Sequence, residues 1–234
     1  MYGGYSVIYK NEDCQQYKLL PIRRPNIPAP TRRIKETFIP GRSGALIEDE
    51  ETWEPIVIPV EFNFIGKADE WASIYRNAKK WLLTETGHLT FSDDWNYFYK
   101  VLYCKITDTE RTSRRIGKFN AEFTCDPYTY MMNGLQEISL GEKIFNCGEV
   151  SLPVYKITGN GGCTLTVNGK AMKATVGQNL TINTELMIAY RTDGTLQNGK
   201  VTGDYEDLYL LEGENQISIT KGFDLKVIPN WRCI

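Results

Sequence analysis

Chemistry on a protein needs side chains that move protons, attack carbon or hold metal, and this chain offers few. His88 is its one histidine, which excludes a multi-histidine metal centre and leaves a single candidate base for any histidine-dependent triad. His88 follows Gly87 where a helical pattern gives way to a strand, a place that suits a structural role. The six cysteines, Cys14, Cys104, Cys125, Cys147, Cys163 and Cys233, have no C-x-x-C spacing. In a reducing compartment they read as small apolar side chains. No Walker-type phosphate loop is present, and the glycine-rich Gly41-Arg-Ser-Gly44 and Gly159-Asn-Gly-Gly162 do not lead from a strand into a helix. The second of these is expected to be a loop between strands.

Carboxylates are more plentiful. Glu48-Asp-Glu-Glu51 beside a glycine turn reads as a solvated loop, and Asp93-Asp94-Trp95 as a turn with one packed aromatic. A glycosidase would need two acids facing each other across a cleft, for which Asp93, Asp94 and Glu122 are the nominees. Arg111, Arg114 and Arg115 form the basic tip of a hairpin, expected to stay solvated. The sequon Asn179-Leu-Thr181 matters only on a secretory route. These readings favour a binding or assembly component with no catalytic residues, cofactor or metal.

The bulk properties agree. Lys and Arg number 27 against 29 Asp and Glu, a net charge of −2, so the molecule as a whole lacks the positive surface that releases counterions from nucleic acid. Apolar residues at 41% and aromatics at 12% supply packed cores rather than disorder. Met1 to Cys14 shows no basic leader followed by an apolar run, and no apolar stretch approaches the roughly 18 residues of a membrane span. The expectation is a soluble protein made in a cytosol.

The elements that position these residues divide into two patterns. In the first, Ser6–Lys10, Ile34–Ile39, Glu54–Ile65, Leu89–Phe91, Tyr97–Ile106 and Gly117–Cys125 alternate with period two, as strands do. Pro55 and Pro59 place the early part of the third on a sheet edge. Between Ala68 and Leu83 the apolar positions Trp71, Ile74, Tyr75, Ala78, Trp81 and Leu82 recur at three and four, which predicts one amphipathic helix whose tryptophans anchor a core. Pro21 to Pro30 carries four prolines and predicts an extended path. Asp126 to Gly134 breaks the pattern. Beyond it short strands recur at even spacing, with Asn168-Gly169 as a hairpin turn, which predicts a two-sheet sandwich of the jelly-roll kind.

The segment from Arg23 to Glu54 holds a proline-stiffened stretch, a strand, a glycine turn and an acidic run, with too few core-directed residues for a domain. It reads as an arm for a neighbouring subunit, and head-to-tail use of an arm closes a ring where the rotation permits.

Several motifs in order resemble one family. Phe38-Ile-Pro-Gly-Arg-Ser-Gly-Ala-Leu46, the strand Ile56-Val-Ile-Pro-Val-Glu-Phe62, the helix end Ala78-Lys-Lys-Trp-Leu-Leu83, Phe123-Thr-Cys-Asp-Pro-Tyr128, Leu211-Glu-Gly-Glu-Asn-Gln-Ile-Ser-Ile219 and the ending Val227-Ile-Pro-Asn-Trp-Arg232 are similar to the distal tail proteins of long-tailed bacteriophages. The resemblance covers essentially the whole chain. It implies a mainly β fold with one helix: an α+β ring-forming domain over 1–132, its arm at about 23–54, and a galectin-like β-sandwich over 133–234. It implies a homohexameric ring at the tail tip of a virion, made in the bacterial host cytoplasm, with a channel through which DNA passes. The implied partners are the major tail tube protein, the tail-associated tip protein and, in many phages, receptor-binding proteins. Pro40, Gly41, Arg42, Gly44, Leu46 and Ile47 become the arm's interface residues, the glycines allowing the turn and the two apolar residues anchoring it. The alternative is a carbohydrate-binding sandwich acting in host cell-wall adsorption, with Trp231, Tyr190 or Tyr205 as stacking platforms.

Overall fold

A computed structural model of the protein describes residues 4–139 and 143–234. Residues 1–3, part of the stretch in which no leader is read, lie outside the described residues. Among the described residues the chain is mostly β with a single α-helix, and it divides into two compact units, Met1–Thr129 with Ile234, and Tyr130–Cys233.

The first unit contains β1 (Val7–Tyr9), β2 (Glu12–Asp13), β3 (Leu20–Pro21), β4 (Arg32–Phe38), β5 (Ala45–Trp53), β6 (Ile56–Ile65), α1 (Trp71–Leu83), β7 (His88–Phe91), β8 (Tyr97–Glu110) and β9 (Ile116–Met131). Its main sheet runs in the order β2-β1-β7-β8-β9-β6-β3, while β4 and β5 form a separate two-stranded sheet. The period-two pattern sets the inner face. Ile58, Val60 and Phe62 on β6 stand opposite Phe123, Ala121 and Phe119 on β9, and all six are buried. Pro59 pairs with Glu122, and β3 covers only Phe62 and Asn63 on the other side of β6, so the proline gives up no ladder bond to β3.

Helix α1 begins at Trp71, the first apolar position of its pattern and three residues inside the Ala68–Leu83 segment. Glu70 stands at its N-cap, where the carboxylate accepts from the Lys67 N–H at 3.1 Å and from Lys18 Nζ at 3.0 Å. Negative charge suits the positive end of the helix dipole. Ile74, Ala78, Trp81 and Leu82 are its buried residues. Trp81 donates from Nε1 to the Tyr9 carbonyl at 3.2 Å and stacks on Tyr17 with ring centroids 4.9 Å apart, which fixes both ends of the indole. Trp71 is only half-buried. It lies between Phe64 and Tyr75, with the Arg111 guanidinium 4.8 Å from its ring centroid.

The second unit contains β10 (Ile138–Ser139), β11 (Lys143–Asn146), β12 (Val154–Val167), β13 (Lys170–Asn183), β14 (Ile188–Tyr190), β15 (Val201–Thr202), β16 (Gly213–Ile219), β17 (Asp224–Ile228) and β18 (Arg232–Cys233). Strands β12 and β13 pair over 14 residues each, around the Asn168-Gly169 turn. One half of this long hairpin joins β17 and β14, giving the order β10-β17-β12-β13-β14. The other half joins β16 and β15, and β16 in turn pairs with β11. Tyr155, Ile157, Leu180, Ile182 and Val227 from the first half share a core with Leu165, Val167, Met172 and Ile217 from the second. A sandwich therefore forms from strands that serve both layers.

Three local expectations differ from the structure. Gly159 to Gly162 lies inside β12, paired with Gln178, Gly177, Val176 and Thr175, instead of forming a loop. Leu208 closes a 3-10 turn, and Leu210 makes only an isolated bridge to Ser151, so the even run of short strands expected beyond Gly134 is interrupted there. Strand β9 continues through Pro127 to Met131. Its ladder with β6 ends at Cys125, so the proline removes no donor from that pairing.

Candidate functional site

The hairpin β4–β5 is the feature of the first unit that its core does not explain. From Thr31 to Pro55 no residue is buried, and only Ala45 and Trp53 are even half-covered. A lone two-stranded hairpin is marginal in water, so its conformation needs other support.

That support begins at its base. The Ile22 N–H donates to the Glu61 carbonyl at 2.9 Å, Arg23 bonds the Glu61 carboxylate at 2.8 Å, and Arg24 bonds Asp93 at 2.7 Å while its guanidinium carbon lies 5.1 Å from the Tyr5 ring centroid. The proline stretch then runs without ladder bonds to Thr31, whose carbonyl accepts the Glu54 N–H at 2.8 Å as the chain enters β6. Both ends of the hairpin are thus tied to the sheet.

Along its length the two strands carry opposite charge. Arg32 Nε lies 3.0 and 2.9 Å from the two oxygens of Asp49, Arg33 is 2.7 Å from Glu54 and 3.8 Å from Glu50, and Lys35 is 3.5 Å from Glu48. The acidic run read as a solvated loop is therefore strand β5, matched to a basic β4. The hydrogen bond from Arg32, joined by the Glu51 N–H, holds the Asp49 carboxyl below its ordinary range; Arg33 does the same for Glu54. Each exposed pair contributes little alone. Spread over both faces of the hairpin, they together oppose sliding of the register, since a shift of one residue turns every side chain to the other face. A bulge between Ile34 and Arg32 ends the regular ladder, with Glu51 at φ 56° and its N–H bonded to Asp49 Oδ1 at 2.8 Å.

Residues 39–44 make the turn. Gly41 and Gly44 adopt φ of 82° and 81°, which a side chain would resist, and the Arg42 N–H donates to the Ile39 carbonyl at 3.1 Å. Pro40, Gly41, Arg42 and Gly44 therefore occupy the tip, whereas Leu46 and Ile47 are on β5. The register puts the latter two on opposite faces. Ile34, Phe38, Ala45 and Ile47 share one face with Glu36 and Asp49, and Leu46 shares the other with Thr37, Lys35 and Glu48. Phe38 is 75% exposed, Ile47 54% and Ile34 48%. Phe38 and Ile34 extend this apolar face beyond the residues singled out in the sequence. Their signal was the alternation Ile34-x-Glu36-x-Phe38, which shows direction only once the partner strand is known.

The remaining nominees are dispersed. His88 stacks on Phe98 at 4.1 Å, and burial, with Lys100 nearby, keeps its imidazole below the usual pKa. Burial pushes the Cys104 and Cys125 thiols up to about 12. Arg115 donates to the Gly66 carbonyl at 3.0 Å and Arg111 lies over Trp71, while Arg111, Arg114 and Arg115 all remain exposed at the hairpin tip. Trp95 is 59% exposed, not packed. Glu122 faces Pro59 on the outer side of β9, and Asp93 is engaged with Arg24. Trp231 is buried in the second core, with Gly134 packed against it, which removes it as a stacking platform. Tyr205 is half-buried. Among the described residues no group of three or more His, Cys, Asp or Glu side chains stands close enough to hold a metal ion, and no helix is long and apolar enough to cross a membrane.

No protein-family model and no curated protein matches the sequence. Among solved structures the chain is similar to the crystal structure of the SPP1 Dit (gp 19.1) protein, with a TM-score of 0.67 and 14% sequence identity over 98% of this chain and 99% of that one. That protein is presented as a paradigm of the hub adsorption apparatus in phages infecting Gram-positive bacteria. Across nearly its full length, this chain has the fold of a phage distal tail protein.

Proposed function

We propose that the protein is a structural hub of a long-tailed phage or prophage tail tip. In this reading copies of the chain form a homohexameric ring that joins the tail tube to the tip and receptor-binding apparatus and leaves a channel for DNA. The observation that carries it is the β4–β5 hairpin: fixed at its base, registered by charge, and showing an apolar face that belongs to neither core. Such a face is complete only against another surface. The likeness of fold to a hub protein makes a second copy of the chain the natural partner.

On this reading Pro40, Gly41, Arg42 and Gly44 carry the turn beyond the domain, and Ile34, Phe38 and Ile47 seat on the neighbour. Leu46, on the opposite face, meets a different part of it. The seating face then carries Glu36 and Asp49 among its apolar residues, which need a polar partner on the neighbour, while Lys35 and Glu48 flank Leu46 on the other face. The chain acts by position, and no catalytic step is assigned to it. Light scattering on the purified full-length protein, followed by negative-stain imaging of the main peak, tests this. A mass of six protomers with ring-shaped particles supports it; a monomer that stays monomeric when mixed with its tube and tip proteins overturns it.

A further inference from the structure

In the second unit, the outer face of the layer formed by β16, β12, β13 and β15 holds a groove of about 360 Å³, within the size range of small-ligand clefts. The register lays a row across its floor. The Thr220 N–H donates to the Thr164 carbonyl at 3.2 Å, Thr164 pairs with Lys173, and Lys173 pairs with Thr202. Two residues along, Gly162 pairs with Thr175, and Lys200 precedes Val201, the partner of Ala174. The alternate positions Leu165, Met172 and Ala174 belong to the core, so the side chains of the row look outward.

The positive charge of this groove is uncompensated. Elsewhere in the same unit Lys143, Lys156, Lys170 and Lys226 each meet a carboxylate. Among the described residues Lys173 and Lys200 form no such pair, and no aspartate or glutamate lines the groove. Lys200 lies two positions before Thr202, the partner of Lys173, so the two lysines are diagonal neighbours with Cβ atoms roughly 7 Å apart. Like charges that close repel, and an anion seated between them replaces repulsion with two charge-assisted hydrogen bonds.

Hydroxyls and open space complete the site. Thr220 Oγ1 accepts the Thr164 N–H at 2.9 Å, which leaves its hydroxyl hydrogen for a ligand. Threonine is ordinary on an outward strand face, but the glycines are not. Gly162 and Gly199 have neither a positive φ nor any atom within 4 Å of where a Cβ would stand, so neither backbone nor packing calls for glycine there. Their missing side chains leave room in the groove that they line. Two ammonium groups, hydroxyl donors and a clear floor match a tetrahedral oxyanion. None of the described residues lining the groove is aromatic, so nothing there stacks a base. We infer that this groove binds phosphate groups that carry no nucleobase, as free phosphate or along a polyol-phosphate chain. The recognised group is the phosphate itself, and the inference is independent of the hairpin and of ring formation.

The test is isothermal titration calorimetry on the full-length protein with inorganic phosphate, poly(glycerol phosphate) and single-stranded DNA. Inorganic phosphate or the polymer should bind, and more weakly as salt rises from about 0.05 to about 0.5 M. Tighter binding per phosphate by the polymer identifies the chain as the source, and equal binding the free ion. Lys173→Ala and Lys200→Ala should each weaken binding by about 10-fold. Gly162→Val should weaken it as well, with charge unchanged, by filling the floor, while Lys156→Ala in the other layer leaves it unchanged. Circular dichroism establishes that each variant is folded. No binding of either phosphate probe, tighter binding of DNA than of the polymer, full affinity in both groove lysine variants, or an equal loss from Lys156→Ala overturns the assignment.

Discussion

Arg32 and Asp49 meet across the hairpin with the guanidinium Nε 3.0 and 2.9 Å from the two carboxylate oxygens, while the same guanidinium lies 5.1 Å from the Trp53 ring centroid. Their backbones are not partners in the ladder, since Ile34 pairs with Asp49 and Arg32 with Trp53. The long arginine reaches diagonally over the bulge, so one side chain ties the regular ladder to the hairpin's base.

That tie depends on an ionised carboxylate. Asp49 and Glu54 both have folded-state pKa values below their ordinary ones, so their support is fully present above the usual carboxylate range near pH 4 and is lost as pH falls through the lowered values. NMR backbone order over residues 32–53 should fall as the solution is acidified below about pH 4, with the two cores still intact. About 0.5 M salt at neutral pH should loosen the same residues in part. Unchanged order under both conditions would refute charge registration.

The apolar face can be tested apart from the fold. Phe38→Glu with Ile47→Glu changes two exposed side chains, so monomer stability should stay within about 0.5 kcal/mol of wild type. The mass by light scattering should drop to one protomer. A double variant that still assembles would remove this face from the interface.

Trp81 anchors the first core. Trp81→Ala should lower unfolding free energy by ~3–5 kcal/mol in urea titrations. Trp81→Phe should cost less, chiefly for the Tyr9 carbonyl left without its indole donor, at ~1–3 kcal/mol. Equal losses from both would mean that the indole hydrogen bond outweighs the packing.

In the second unit, Gly159→Val must displace the Phe223 ring, at a cost of ~1–3 kcal/mol. Gly162→Ala meets nothing within 4 Å and should be nearly neutral. Gly159 also has a φ of 154°, so thermal melts of the two variants separate the combined packing and backbone demand at this glycine from general intolerance in the glycine run.

Of the six cysteines, Cys147 is the exposed one, while Cys14, Cys125 and Cys163 are buried. A thiol reagent at mildly alkaline pH should label Cys147 first, and Cys104 and Cys125, their thiols raised to about 12 by burial, far more slowly. Rapid labelling of Cys125 would mean that the first core opens easily.

Legibility from sequence followed locality. The alternation in β6 and β9 and the three-four spacing of α1 are written within single segments and could be read without partners. The strand identity of Glu48 to Glu51 was not, because nothing within that run shows that Arg32, Arg33 and Lys35 stand opposite it. The same holds for Gly159 to Gly162, which looks like a break until β13 pairs through it. Leu46 and Ile47 look like one apolar patch in sequence, yet period two sends them to opposite faces, while Phe38 and Ile34, nine and thirteen positions before Ile47, share its side.

The absence of any buried residue between Thr31 and Pro55 separates two events in time. Neither core waits for the hairpin, so a newly made chain finishes folding as a single molecule and needs no neighbour to do so. On the proposed reading, association of copies through the hairpin is then a matter of concentration, and a pool of ready subunits can accumulate without joining prematurely.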